Sequence, residues 1–433
     1  MPAKGVAIVS ARAELVVVGG GVVGLAIAWQ AAQAGTNVTV VDPAAGEAAS
    51  WVAAGMLAPA SESWFGEEAL LRLNLLAVDR FRAFAAALET ATGADIGLRR
   101  DGTLAVSYDS GDRAALARSA ALRRAYGLPV EELDRAQCRR LEPFLSADVQ
   151  GGVLAAGDWS VDNRRYLAAL RRAVTDAGAG QLTGRVARLE VVADRVAGVT
   201  LTDGHMVAAE TVVLAAGAWS GSIDGVPEPV RRGVRPVKGQ LLRLRLPQRM
   251  PPVLQRTVRA TVRGFDVYLV PRTDGEVVVG ATVEERGFDR TVTAAAVHDL
   301  LRDAMTLVPV LGELVLAEMC VGLRPGTADN GPIVGGTDVD GLIVATGHYR
   351  NGVLQSAATA EAVMAVLTGA PLPAEWAPFT GRTAVYPPAA RWPIWSRWSP
   401  ARSRASPSPS TARWCPAAPG PTPGSPTVTE SKS

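Results

Sequence analysis

The apolar positions change period several times along the chain, and the first change comes early. Leu15–Val18 is a short β-branched run, and Val22–Ala34 carries Leu, Ile, Ala and Trp at helical spacing. Asn37–Val41 (NVTVV) then returns to a β-like run that Asp42 ends. Strand, glycine turn, helix and strand in succession predict a βαβ unit and the start of a parallel sheet. Residues 66–92 predict an amphipathic helix rich in Leu and Ala, and Arg113–Tyr126 and Asp134–Leu141 predict two more. Arg164–Ala177 repeats the helical spacing behind an Asp162-Asn163 pair suited to capping. Strand-like runs follow at Val186–Val192, Val196–Leu201 and Thr211–Ala215, with Asp203-Gly204 as a hairpin turn. A β-rich block spans 234–246, 258–271 and 276–283, with turns at Arg263-Gly264 and Asp274-Gly275. Residues 294–308 read as helix, Leu342–Ala345 as a short strand and Leu354–Thr368 as a closing helix.

From about Val385 the pattern stops. Eleven of the 29 prolines and four of the ten tryptophans lie there among Ser, Arg and Ala, so 385–433 reads as a disordered Pro/Ser/Arg/Trp-rich tail. So abrupt a shift, just after Trp376-Ala377-Pro378-Phe379, is what a reading-frame change near a natural stop would give. The tail also explains the charge. It holds six Lys/Arg and one Glu, so the body before it, with 38 basic and 41 acidic residues, is net −3 although the whole chain is +2. Nothing in the body suggests a nucleic-acid surface. No apolar run approaches the length of a membrane span, and the N-terminus lacks a signal-peptide pattern. Three scattered cysteines (Cys138, Cys320, Cys415) make no metal spacing and suit a reducing cytoplasm.

The first turn carries chemistry. Gly19-Gly20-Gly21-Val22-Val23-Gly24 fits G-x-G-x-x-G between a strand and a helix, with Asp42 at the end of the second strand. Gly19 would allow the tight turn, Gly21 the approach of a pyrophosphate, and Gly24 close packing of helix on strand. The helix N-terminus would face the phosphates and Asp42 a ribose hydroxyl. This fingerprint alone does not choose between NAD and FAD.

Later segments do. Ala49-Ser50-Trp51-Val52-Ala53-Ala54-Gly55-Met56-Leu57-Ala58-Pro59 resembles the second flavin-contact segment of the glycine oxidases, in the D-amino-acid oxidase family of FAD-dependent oxidoreductases. Small residues there let backbone come close to a flat isoalloxazine ring. Thr211–Ser220 (TVVLAAGAWS) is similar to the strand and turn by which two-domain FAD enzymes return to the nucleotide domain. Val267–Arg272 (VYLVPR) resembles the family's strand whose tyrosine faces the substrate. Gly322–Thr327 (GLRPGT) resembles the strand whose arginine holds the substrate carboxylate, and Thr346–Leu354 (TGHYRNGVL) the closing flavin motif. The matches run in the family's order from about residue 14 to 368.

The resemblance implies an α/β and α+β fold: a Rossmann-type FAD-binding domain (12–90, 150–228 and 318–370) with a β-rich substrate domain (91–149 and 229–317). It implies noncovalent FAD, contacted by Gly19, Gly21, Val22, Val23, Gly24, Asp42, Ala49, Ser50, Ala54, Gly55 and Met56. Val186, Gly217, His348, Tyr349, Asn351, Gly352, Val353 and Leu354 complete the cofactor set. Tyr268, Arg324 and Arg350 are the catalytic candidates. A carboxylate is best fixed by a bidentate guanidinium, which suits Arg324, and a hydroxyl at Tyr268 could add a hydrogen bond. Arg350 would contact or close over the substrate. No general base is needed if the amine binds neutral, and His205, His298 and His348 form no cluster. Cys320 stands near the position where sarcosine oxidases attach flavin covalently, but a small buried residue is the commoner role.

The implied reaction is oxidation of glycine, with water and oxygen, to glyoxylate, ammonia and hydrogen peroxide by hydride transfer to the flavin, for the thiazole branch of thiamine biosynthesis. The alternatives are a sarcosine or D-amino-acid oxidase or dehydrogenase, and a non-catalytic FAD-binding subunit. No metal, membrane or nucleic-acid partner is expected, and a homo-oligomer is compatible with the sequence.

Overall fold

The computed structural model describes residues 13–43, 49–262 and 264–380. The tail from Val385 and Arg263 of the expected Arg263-Gly264 turn lie outside the described residues.

Two sheets organise what is described. In the first, β1 (Ala13–Val18) lies between β2 (Val38–Asp42) and Met206–Leu214, parallel to both. Gly180–Thr183 extends the sheet beyond β2. Leu342–Thr346 extends it beyond Met206–Leu214, and Ile333–Gly336 follows, antiparallel. A central strand covered on both faces must be apolar throughout, and Leu15, Val16, Val17 and Val18 are all buried. The helix α1 (Val22–Gln33) covers one face. Its small and apolar residues are nearly all buried against Glu68–Thr92, Asn163–Asp176 and Gly352–Thr368, and Trp29 meets Phe84 edge-on at 4.9 Å. Trp376 and Phe379, in the short 3-10 turn Ala374–Phe379, are buried in the same core.

The second sheet has eight strands. Arg235–Arg245 lies second from one edge, antiparallel to Val315–Gly326 at that edge and to Glu276–Gly280 on its other side. Phe265–Pro271, Thr257–Val262 and Thr103–Ser107 continue it to Gly151–Ala155 and Glu131–Asp134. Its core packs under the helix Ala294–Leu307.

The predicted helices appear within a few residues of their expected limits. Asp162 caps Asn163–Asp176, accepting the Arg164 and Arg165 amides at 2.9 and 3.1 Å. The Asp203-Gly204 hairpin and the Asp274-Gly275 turn are also present. Two strands cross the segment limits drawn from the sequence. Gly151–Ala155 and the whole of Val315–Gly326 belong to the second sheet, although 150–228 and 318–370 were assigned to the nucleotide half.

Candidate active site

The turn after β1 is built from close backbone approaches. Gly19 sits at φ +114°, and a Cβ there would lie 2.4 Å from the Ala215 carbonyl oxygen. A Cβ at Gly24 would lie 1.9 Å from the Gly19 oxygen, so only glycine lets α1 press onto the turn. The Ser50 hydroxyl reaches across to accept the Val22 amide at 3.1 Å, and Asp42 accepts the Gly20 amide at 2.6 Å. No acidic residue occupies the first turn of α1 to compete with a phosphate for its positive end.

This turn opens on a cavity of about 320 Å³. Gly19, Gly21, Val22, Val23 and Asp42 contribute to the wall, with Val186 and Gly217. Ala49, Ser50, Ala54, Gly55 and Met56 follow. Tyr268 and Arg324 come from the second sheet, and His348, Tyr349, Arg350, Gly352 and Val353 from the closing loop. Three residues of the expected set do not line it. Gly24 packs against the turn, Leu354 is buried in the core, and the Asn351 carbonyl accepts the Gln355 amide at the start of the closing helix.

The loop at 49–56 is clamped from outside. The Asn163 side chain donates to the carbonyls of Ser50 and Trp51 at 2.9 and 2.7 Å. Arg272 donates to those of Val161 and Ala54 at 2.7 and 2.8 Å, and to Asn163 Oδ1 at 3.0 Å. Burial lowers the Arg272 guanidinium to about 10, which leaves it charged. Gly55 sits at φ +71° with its Cα against the Val161 carbonyl. A small-residue loop pinned at its carbonyls leaves a thin, rigid backbone wall, which is what a planar ring needs. The roles of Asn163 and Arg272 were not foreseen. An arginine ending a buried apolar strand, as in VYLVPR, was the available signal.

At Tyr268 and Arg324, two further glycines make the room. A Cβ at Gly239 would fall 2.3–2.5 Å from the Arg324 guanidinium, and one at Gly280 would fall 2.3 Å from the Tyr268 ring and hydroxyl. The guanidinium thus lies flat over a bare stretch of strand, donating to the Thr282 carbonyl at 3.1 Å and the Lys238 carbonyl at 3.5 Å. Burial pushes the Tyr268 phenol up, and the adjacent Arg324 charge only partly opposes this, so Tyr268 stays neutral. Arg350 lies 5.5 Å from the Trp64 ring and 5.1 Å from that of Tyr349. The Tyr349 amide donates to the Pro325 carbonyl at 3.0 Å, tying the closing loop to the strand of Arg324.

His348 is buried with Nε2 2.9 Å from the Thr359 hydroxyl, and burial drives it down to about 3. It is therefore neutral at ordinary pH. His298 is exposed beside Asp299, and His205 lies in the hairpin turn. Among the described residues no His, Cys, Asp and Glu group could hold a metal, and no helix is long and apolar enough to cross a membrane.

Residues 14–366 match the FAD dependent oxidoreductase family, and the chain belongs to it. FAD is the cofactor, and the glycine turn, the unopposed helix end and the thin clamped loop fit it. The chain is 35% identical over 353 residues to the bifunctional protein ThiO/ThiG of Synechocystis sp., covering 80% of this chain and 50% of that one. It therefore spans about half the length of that relative. It is 35% identical to the glycine oxidase of Geobacillus kaustophilus, covering 80% of this chain and 91% of that one. The crystal structure of the Geobacillus kaustophilus glycine oxidase superposes with a TM-score of 0.78, covering 85% of this chain and 98% of that one at 33% identity.

Proposed function

We propose that this protein oxidises glycine, with water and oxygen, to glyoxylate, ammonia and hydrogen peroxide. The observation that carries this is Arg324. Its guanidinium is in the cavity wall, fixed by two backbone carbonyls beside the neutral Tyr268 hydroxyl, in space kept by Gly239 and Gly280. A rigid, permanently charged fork suits a carboxylate. Arg324 and Tyr268 would hold that carboxylate and so direct the α carbon of a small amino acid into the cavity. Arg350, packed on Trp64 and Tyr349, would close over it. Bound FAD would supply the redox chemistry, a two-electron oxidation of the amine with oxygen as the final acceptor. No side chain need act as base if the amine binds neutral, and the buried His348, pushed down to about 3, is a poor base. The protein's part is orientation and exclusion of water.

FAD is held without a covalent bond in this reading. The Cys320 thiol is buried and donates to Glu318 at 3.0 Å, and burial followed by that hydrogen bond pushes it up to about 11. A protonated, paired thiol is a poor nucleophile. The similarity to ThiO/ThiG supports a place in thiamine biosynthesis, where the imine from glycine would feed thiazole formation. The free thiols of Cys138 and Cys320 accord with a reducing cytoplasm. The nucleotide half would hold FAD and the second sheet would wall the substrate. Peroxide release with glycine, sarcosine and D-alanine in turn tests the assignment. Turnover of sarcosine or D-alanine in preference to glycine would overturn it.

A further inference from the structure

One charged side chain in the cavity wall has no part in holding a carboxylate. Glu62 faces the cavity and pairs with Arg259 at 2.9 Å, with side chains only 8% and 13% exposed respectively. A buried ion pair contributes little net stability over an apolar pair of the same size, so its position on a substrate cavity calls for another account. The pair is also rigidly presented. The Glu62 amide donates to the Ala58 carbonyl at 3.0 Å. The Ala60 and Ser61 amides donate to the buried carboxylate of Asp158 at 3.0 and 2.9 Å, and Arg123 donates to the Ser61 carbonyl at 3.3 Å. Arg259 stands directly across from Tyr268 in the antiparallel strand pair. Glu62 and Arg324 both act on the Tyr268 phenol, Glu62 raising it and Arg324 lowering it. A negative group therefore stands close to the carboxylate anchor, on the same cavity.

We propose that Glu62, held by Arg259, faces the amine end of the substrate and repels any substrate that carries a second carboxylate. This rests on the reading that Arg324 holds the first carboxylate. An amino acid then meets Arg324 at one end and Glu62 at the other, while a dicarboxylate must place its second charge against Glu62. Arg259 limits the repulsion so that singly charged ligands still enter.

The test uses the holoenzyme and reads binding as well as turnover. Acetate and malonate, which are not oxidised, are titrated against the flavin absorbance spectrum, and glycine and its N-carboxymethyl derivative iminodiacetate are compared as substrates. The wild type should bind acetate about tenfold more tightly than malonate. Glu62→Gln should reduce that preference below about threefold and raise iminodiacetate relative to glycine in kcat/KM by about tenfold. Arg259→Gln, which unmasks Glu62, should move the acetate preference the other way. An acetate-to-malonate ratio unchanged within about twofold in both variants overturns the proposal. If the wild type oxidises neither amine, the glycine reading fails, and the two titrations still decide the role of Glu62.

Discussion

Replacing Gly239 with alanine isolates the placement of Arg324 from its charge. The added Cβ would lie 2.3 Å from Nη1 and 2.5 Å from Cζ and Nη2 of Arg324. Ordinary contact begins near 3.4 Å, so the guanidinium must retreat by about 1 Å. It is the end of a flexible side chain, whereas Gly239 is fixed in a strand paired on both sides. The arginine therefore yields and the sheet does not. Its bond to Thr282 is lost and its fork leaves the position that meets a carboxylate. A misplacement of about 1 Å costs on the order of 100-fold in rate, or about 2.7 kcal/mol. The backbone at Gly239 is not left-handed, so alanine is tolerated, and its smaller unfolded-state entropy offsets part of any folding cost. FAD content and thermal melting should thus match the wild type. The second-order rate of anaerobic flavin reduction by glycine in stopped flow should fall by about 30- to 100-fold, with acetate binding weakened in parallel. Efficiency within about threefold of the wild type would refute the reasoning, because Arg324 would then not depend on that bare strand.

Arg324→Lys should keep FAD but lose about 2–5 kcal/mol of transition-state binding, since an ammonium cannot make the paired contact; steady-state kcat/KM with glycine measures it. Tyr268→Phe should cost only about 1 kcal/mol in the same assay, because Arg324 still holds the carboxylate. Gly24→Ala drives a Cβ to 1.9 Å from the Gly19 oxygen and should open the turn, giving protein with little bound FAD by absorbance. Buried His348 stays neutral until about pH 3, while in the unfolded chain it takes up a proton near pH 6.5. Stability from this residue is therefore lost as pH falls through that window, by about 1.4 kcal/mol per unit, and urea unfolding of His348→Gln should show a correspondingly shallower acid loss.

Much of the nucleotide half was legible because local signals agree there. β1 and β2 are short apolar runs broken only by Glu14, Thr39 and the terminal Asp42, and the glycine pattern between them is a local motif even though the contact that demands Gly19 is with distant Ala215. The flavin-contact loop, the Arg324 strand and the closing motif were legible only through their resemblance to a family. The strand Val315–Gly326 was visible only at its end, because its first residues are largely exposed at the sheet edge and carry no period. Gly151–Ala155 is short and opens with two glycines, which weaken a strand signal. Gly239 and Gly280 were missed because their partners are distant in sequence or across a strand pair; a glycine inside VKGQLL or EVVVG was the signal for a close approach. Nothing in the sequence marks Glu62, because its partner Arg259 is distant in the chain.

A small amino acid held by its carboxylate at Arg324 is expected to be oxidised in the FAD cavity. Anaerobic addition of glycine to the purified yellow protein tests this most directly. Full bleaching of the flavin absorbance, with glyoxylate formed in proportion and bleaching slowed in Arg324→Lys, is the predicted result. A spectrum that glycine leaves unchanged at saturating concentration would contradict it.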